Sequence, residues 1–62
     1  MYKVMLTDKR EALVDADGFS FIEGSMKLFK NDSVVAFFDS DYVIGVYQTE
    51  PPYLFISNEK ML

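Results

Sequence analysis

Cysteine and histidine are both missing from this 62-residue chain, and arginine occurs once. Without cysteine there are no disulfides and no thiolate metal sites. Without histidine the commonest transition-metal ligand and the commonest acid–base catalyst are gone. Clustered positive charge is absent too. Arg10 is the lone arginine, and Lys3, Lys9, Lys27, Lys30 and Lys60 are scattered along the chain. Ten acids against six bases leave a net charge of −4. A nucleic-acid backbone binder needs grouped Lys and Arg to displace counterions, so that class is disfavoured. No apolar run has the length of a membrane span. The opening "MYKVMLTDKR" lacks a signal-like apolar stretch and cleavage pattern. These absences lead to the expectation of a soluble, cytoplasmic, single-domain protein spanning residues 1–62.

What is abundant is apolar surface. Half of the residues are hydrophobic, including six Phe and four Tyr. A chain this short buries only about 60% of the surface that its unfolded form exposes. Small scaffolds compensate with disulfides, a metal or oligomerisation. With the first ruled out and common metal ligands scarce, a homo-oligomer is expected.

Turn signals come at short intervals: "TDKRE", "DADGF", "IEGSM", "KNDSV", "FDSDY" and "TEPPY". They are rich in the residues that tolerate or pre-set turn dihedrals. Their spacing leaves no room for a packed helix and suits an antiparallel meander. The segments between them are β-branched and aromatic, as a pleated surface favours. "YKVMLT" sets Tyr2, Val4 and Leu6 against Lys3, Met5 and Thr7. "EALVDA" places Ala12, Val14 and Ala16 on one side, "FSFI" pairs Phe19 with Phe21, and "MKLFK" pairs Met26 with Leu28. "YVIGVYQ" sets Tyr42, Ile44 and Val46 against Val43, Gly45 and Tyr47. "VVAFF" is apolar on both faces, which predicts cover on both faces. Gly45 predicts a bulge or a close backbone approach. A competing reading of "SDYVIG" is one helical turn capped by Ser40 or Asp41.

The predicted fold is therefore all-β. It is a small antiparallel meander of five to seven strands, forming an SH3-like barrel or a compact sandwich. Its core is residues 2–48, and residues 50–62 form a C-terminal arm or edge strand after Pro51-Pro52.

Two carboxylate pairs, Asp15/Asp17 and Asp39/Asp41, invite a metal reading. Counting Asp39 as position 1 of an EF-hand loop puts Asp41 at 3 and Glu50 at 12, but Val43 and Ile44 then stand where an oxygen ligand and a glycine belong. Starting at Asp15 brings Met26 to position 12. Turn residues bonding backbone amides explain both pairs better. The serines have no histidine to activate them, and the glycines form no phosphate loop. No catalytic residue, cofactor or metal is expected, and the chain is read as non-enzymatic.

Tyrosine carries a polar tip on an apolar body and is enriched in binding surfaces. Tyr47 and Tyr53 flank the proline pair. They are the expected anchors of an interaction surface with Leu54, Phe55, Ile56, Asp39 and Asp41. Both faces of "YLFISN" are apolar, so both need cover, and a subunit contact is expected there.

The segments "YKVMLTD", "VDADGFSFIEGSMKLFK" and "VVAFFDSDYVIGV" resemble short proteins encoded by bacteriophages and prophages of Gram-positive bacteria. They are also loosely similar to Sm-like and SH3-like small barrels. The likeness runs from Tyr2 to about Tyr47, and the tail from Pro51 departs from it. The resemblance implies a mobile-element origin and an inhibitor that binds a bacterial host protein, in the host cytoplasm. An acidic face could then occupy a basic groove on the target. Two other functions stay open. One is an oligomer sequestering a nucleotide signal, with Asn31, Arg10 and the lysines on the phosphates. The other is an Sm-like RNA-binding ring, which the net charge disfavours.

Overall fold

The computed structural model describes residues 1–58; the last four residues of the expected arm, 59–62, lie outside the described residues. The chain forms seven strands and one short helical turn. They are β1 (Tyr2–Leu6), β2 (Glu11–Val14), β3 (Gly18–Ile22), β4 (Ser25–Lys30), β5 (Ser33–Asp39), a 3-10 turn at Ser40–Tyr42, β6 (Val43–Gln48) and β7 (Phe55–Ser57). Two antiparallel sheets result, ordered β2-β1-β6-β7 and β3-β4-β5. No helix among the described residues is long and apolar enough to cross a membrane. The all-β expectation holds, as seven strands in two sheets.

Short loops set the registers. Between β1 and β2 the Lys9 amide donates to the Leu6 carbonyl and the Leu6 amide to the Arg10 carbonyl. Lys9 itself is left-handed, with φ of 72°. This is the three-residue hairpin loop in which a turn is followed by one left-handed residue. The other two hairpins use two-residue turns with both central residues at positive φ, Glu23-Gly24 and Asn31-Asp32. That geometry matches the twist of the flanking strands. Asn, Asp and Gly adopt it at little cost, whereas Glu23 at φ 48° does so against its Cβ.

β2 and β3 are consecutive strands that belong to different sheets. The chain passes from one to the other through Asp15–Asp17, and Ala16 is buried at that corner. The Asp17 amide donates to the Phe29 carbonyl at 2.7 Å, extending the β3–β4 pairing backwards. Between the sheets lie Val4, Ala16, Met26, Leu28, Val43 and Val46, all buried. Tyr2, Leu6, Ala12, Val14, Phe19, Ala36 and Phe38 pack around them. The inward sets expected for β1, β2, β3 and β4 are the ones observed.

Three expectations need correcting. The segment "YVIGVYQ" is not one strand, because Tyr42 lies in the 3-10 turn. A helical turn is indeed present, but its N-cap is Asp39, whose Oδ1 accepts from the Asp41 amide at 3.0 Å. Within β6 the alternation breaks. Met5 pairs with Gly45 but Leu6 with Val43, so Ile44 is an extra residue. This bulge turns Val43 inward beside Val46, and both are buried. Finally, "VVAFF" is covered on one face only. Ala36 and Phe38 meet the core, while Val34, Val35 and Phe37 are exposed, because β5 is the edge of its sheet with nothing packed outside it.

The left-handed Glu23 gives a direct check on the turn geometry. Glu23→Asn creates an Asn-Gly pair in the β3–β4 turn and should stabilise the protein by about 1 kcal/mol in urea denaturation. A neutral or destabilising result would contradict the left-handed assignment.

Candidate functional site: the aromatic face of the four-stranded sheet

The C-terminal strand pairs with its own chain. Tyr47 faces Phe55, Val46 faces Ile56 and Gly45 faces Ser57 across β6 and β7. The Gln48 amide donates to the Leu54 carbonyl at 2.8 Å, fastening the returning segment. The intervening Pro51–Pro52 peptide is cis.

What holds β7 is an asparagine that the sequence reading did not single out. Asn58 is buried. Its Nδ2 donates to the Ser40 carbonyl at 2.7 Å and to the Val43 carbonyl at 2.9 Å. Its backbone amide donates to the Ile44 carbonyl at 2.8 Å. These acceptors sit where the 3-10 turn ends and the bulge begins, where a regular ladder supplies no donors. An amide is the side chain that can donate twice from one nitrogen.

Gly45 is the second requirement. A Cβ at this position would lie 2.6 Å from Phe55 Cζ and 2.8 Å from the Ile56 carbonyl oxygen. The second of these is backbone and cannot be turned aside. Glycine therefore lets the Phe55 ring lie over β6. Its ring centroid is then 5.7 Å from that of Tyr47, at a tilt of 52°.

Strand alternation carries this pair into a row. On the face pointing away from the core, Leu13, Lys3, Tyr47 and Phe55 stand opposite one another across all four strands. The next row is Glu11, Met5, Gly45 and Ser57. Leu13, Tyr47 and Phe55 are exposed. The only ion pair within these rows among the described residues, Lys3 with Glu11, is loose at 4.0 Å. The result is an aromatic and aliphatic surface with little fixed charge.

The remaining expected site residues separate. Tyr53 is 68% exposed in the segment leading into β7. Leu54 and Ile56 point to the opposite side of the strand. There they line a small cavity of about 190 Å³ with Tyr2, Phe19, Val46 and Gln48. Asp39 and Asp41 belong to the 3-10 turn. Asp39 also borders a cleft of about 440 Å³ floored by Leu6, Ala12, Phe38 and Tyr42, with Arg10 on its rim. Leu13 and Met5 complete the aromatic face. The sequence marked them only by alternation.

The exposed carboxylates serve turns. Asp8 accepts from the Arg10 amide and from its Nε. The amide bond, with the guanidinium adding to it, holds the Asp8 carboxyl below its ordinary range. Lys30 donates to Asp15, which lowers the Asp15 carboxyl and raises the Lys30 ammonium. Asp17 accepts from the Asn31 amide at 3.1 Å. With the geometry in place, comparison adds no relative: no protein-family model, no curated protein and no solved structure matches the chain.

Two outcomes follow. Asn58→Ala leaves the Ser40 and Val43 carbonyls buried without that donor and should cost about 2 kcal/mol, read from the urea midpoint. A loss within about 0.5 kcal/mol, typical of a bland surface position, would show that the amide does not hold the strand. For pH, depressed carboxylates contribute stability above their unfolded pKa that is lost as pH falls through the folded one. Asp8 and Asp15 therefore weaken the fold only below about pH 4. The raised Lys30 works oppositely: its contribution is present below the unfolded pKa and is lost above about pH 10. All three groups are exposed and screened, so both effects are small. With no histidine in the chain, the thermal midpoint should stay flat between about pH 5 and 9. A step inside that interval would contradict this assignment.

Proposed function

We propose that this protein is a non-enzymatic protein-interaction module that docks through the outer face of its four-stranded sheet. In line with the resemblance to phage and prophage proteins, its partner is a bacterial host protein that it inhibits. The observation that carries this reading is the row Leu13–Lys3–Tyr47–Phe55. Interface cores are rich in aromatic side chains and poor in charge, and a few such anchors dominate binding energy. Here Tyr47 and Phe55 are already oriented by Gly45 and by the Asn58 clamp, so little side-chain freedom remains to be lost on binding.

A second reading draws on the cleft beside Arg10. It joins the chain's single guanidinium to the Tyr42 ring over an apolar floor, a combination suited to a phosphate and a base. Arg10 already pairs with Asp8 at 2.6 Å, and Asn31 sits in another hairpin. Both points weaken that reading.

Affinity capture with tagged protein from bacterial lysates, read by mass spectrometry, tests the first. A stoichiometric partner should be retained by the wild type and lost by the exposed-face variant Leu13→Ser/Tyr47→Ser. A partner that survives the double substitution would move the site elsewhere, and no partner across several hosts would count against the module. A thermal-shift screen with cyclic nucleotides tests the second, since a ligand of the native state must raise stability. Flat melting curves at saturating ligand would remove it.

A further inference from the structure

Four strands lie at sheet edges: β2, β7, β3 and β5. Exposed edges invite pairing with another chain, and proteins blunt them with charge, brevity or cover. Three of the four are blunted. β2 has four residues and includes Glu11. β7 has three. β3 begins with Gly18, and its Phe19 ring meets Tyr2 edge-on at 5.3 Å. β5 is not blunted. It is the longest strand, with seven residues, and from Ser33 to Phe38 it contains no charge, proline or glycine. Val34 and Val35 are half exposed, and Phe37 is 70% exposed. Among the described residues its only strand partner is β4.

We propose that β5 is a self-association strand: two copies of this chain pair antiparallel along β5 about Ala36, joining two three-stranded sheets into one of six strands. The occupant is argued from three observations. The strand is self-complementary in that register. Val35 meets Phe37 of the other copy, Val34 meets Phe38, and Ser33 meets Asp39, so no two carboxylates stand directly opposed. Apolar cross-strand pairs of this kind are the unit of sheet stabilisation. Second, the buried core is limited to six residues, and small scaffolds gain from association. Third, each copy carries −4, so two copies repel over the whole molecule while the strand itself is neutral. Association should therefore strengthen as salt screens that repulsion. A basic partner strand would show the opposite salt dependence. A seven-residue strand spans about 23 Å. Edge contact of that length falls short of the roughly 800 Å² per partner in a stable interface, so the dimer should be reversible and concentration dependent. This inference does not depend on the aromatic docking face.

Sedimentation velocity of the full chain, from micromolar to millimolar concentration at low and high salt, tests it. The wild type should pass from monomer to dimer, more readily at high salt. Val35→Lys and Phe37→Lys, both at exposed positions, should weaken dimerisation roughly tenfold or more by placing charge on the edge. Leu13→Lys, on the other sheet, should leave it unchanged. A wild type that stays monomeric at millimolar concentration in high salt overturns the proposal. So does a dimer that persists in both β5 lysine variants with native circular dichroism. Should those variants lose their fold, hydrogen exchange on the wild type decides. Concentration-dependent protection confined to residues 33–39 supports β5 pairing, and protection confined to residues 53–57 places the contact on β7 and overturns it.

Discussion

Everything distinctive about this small domain depends on one side-chain amide. The Asn58 Nδ2 bridges the carbonyls of Ser40 and Val43, at the junction of a 3-10 turn and a β-bulge. Two backbone irregularities in succession strand several acceptors inside the protein. Buried carbonyls without donors are costly, so a junction of this kind needs an outside donor. Asn58 arrives from the end of β7, which makes satisfaction of the turn and attachment of the last strand one event. With β7 attached, Phe55 lies over Gly45 and beside Tyr47. Leu54 and Ile56 close the opposite side against Tyr2, Phe19 and Val46.

The bulge and the clamp act together. Ile44 as an extra residue lets Val43 and Val46 both enter the core despite their spacing of three. Gly45, next to it, gives up a side chain so that β7 can approach. The acidic turns perform simpler work. Asp39 caps the 3-10 turn, Asp17 receives the Asn31 amide and Asp8 orients its loop. Their charges stay at loops and leave two regions of the surface weakly charged: the outer face of the four-stranded sheet and the β5 edge. Those regions differ in kind. One offers oriented rings on a face, and the other offers a bare hydrogen-bonding edge. A chain of this size can thus present a foreign-protein surface and a self-pairing strand without overlap.

Much of this was legible in the residues alone. Alternation in "YKVMLT", "EALVDA", "FSFI" and "MKLFK" identifies the inward side chains, because side chains on a strand point to opposite faces in turn. Turn chemistry identifies the hairpins for the same local reason, and the absence of histidine and cysteine narrows the chemistry before any fold is known. Gly45 announced itself as a close approach. Tyr47 and Phe55 were legible as surface aromatics, although their pairing was not.

Tertiary structure alone decided what depends on neighbours distant in sequence. Whether an apolar strand is covered on one face or two is a property of its place in the sheet, so "VVAFF" could not reveal that β5 is an edge. The bulge at Ile44 is a mismatch between β1 and β6 and leaves no mark on β6 alone. Asn58 looks like an ordinary polar residue near the end of the sequence. Its role exists only because the fold leaves the Ser40, Val43 and Ile44 carbonyls in need of donors beside it. The same contact settles how β7 is held. Apolar faces alone are satisfied equally by this chain or another, whereas the clamp and the β6–β7 ladder place the strand on its own β6.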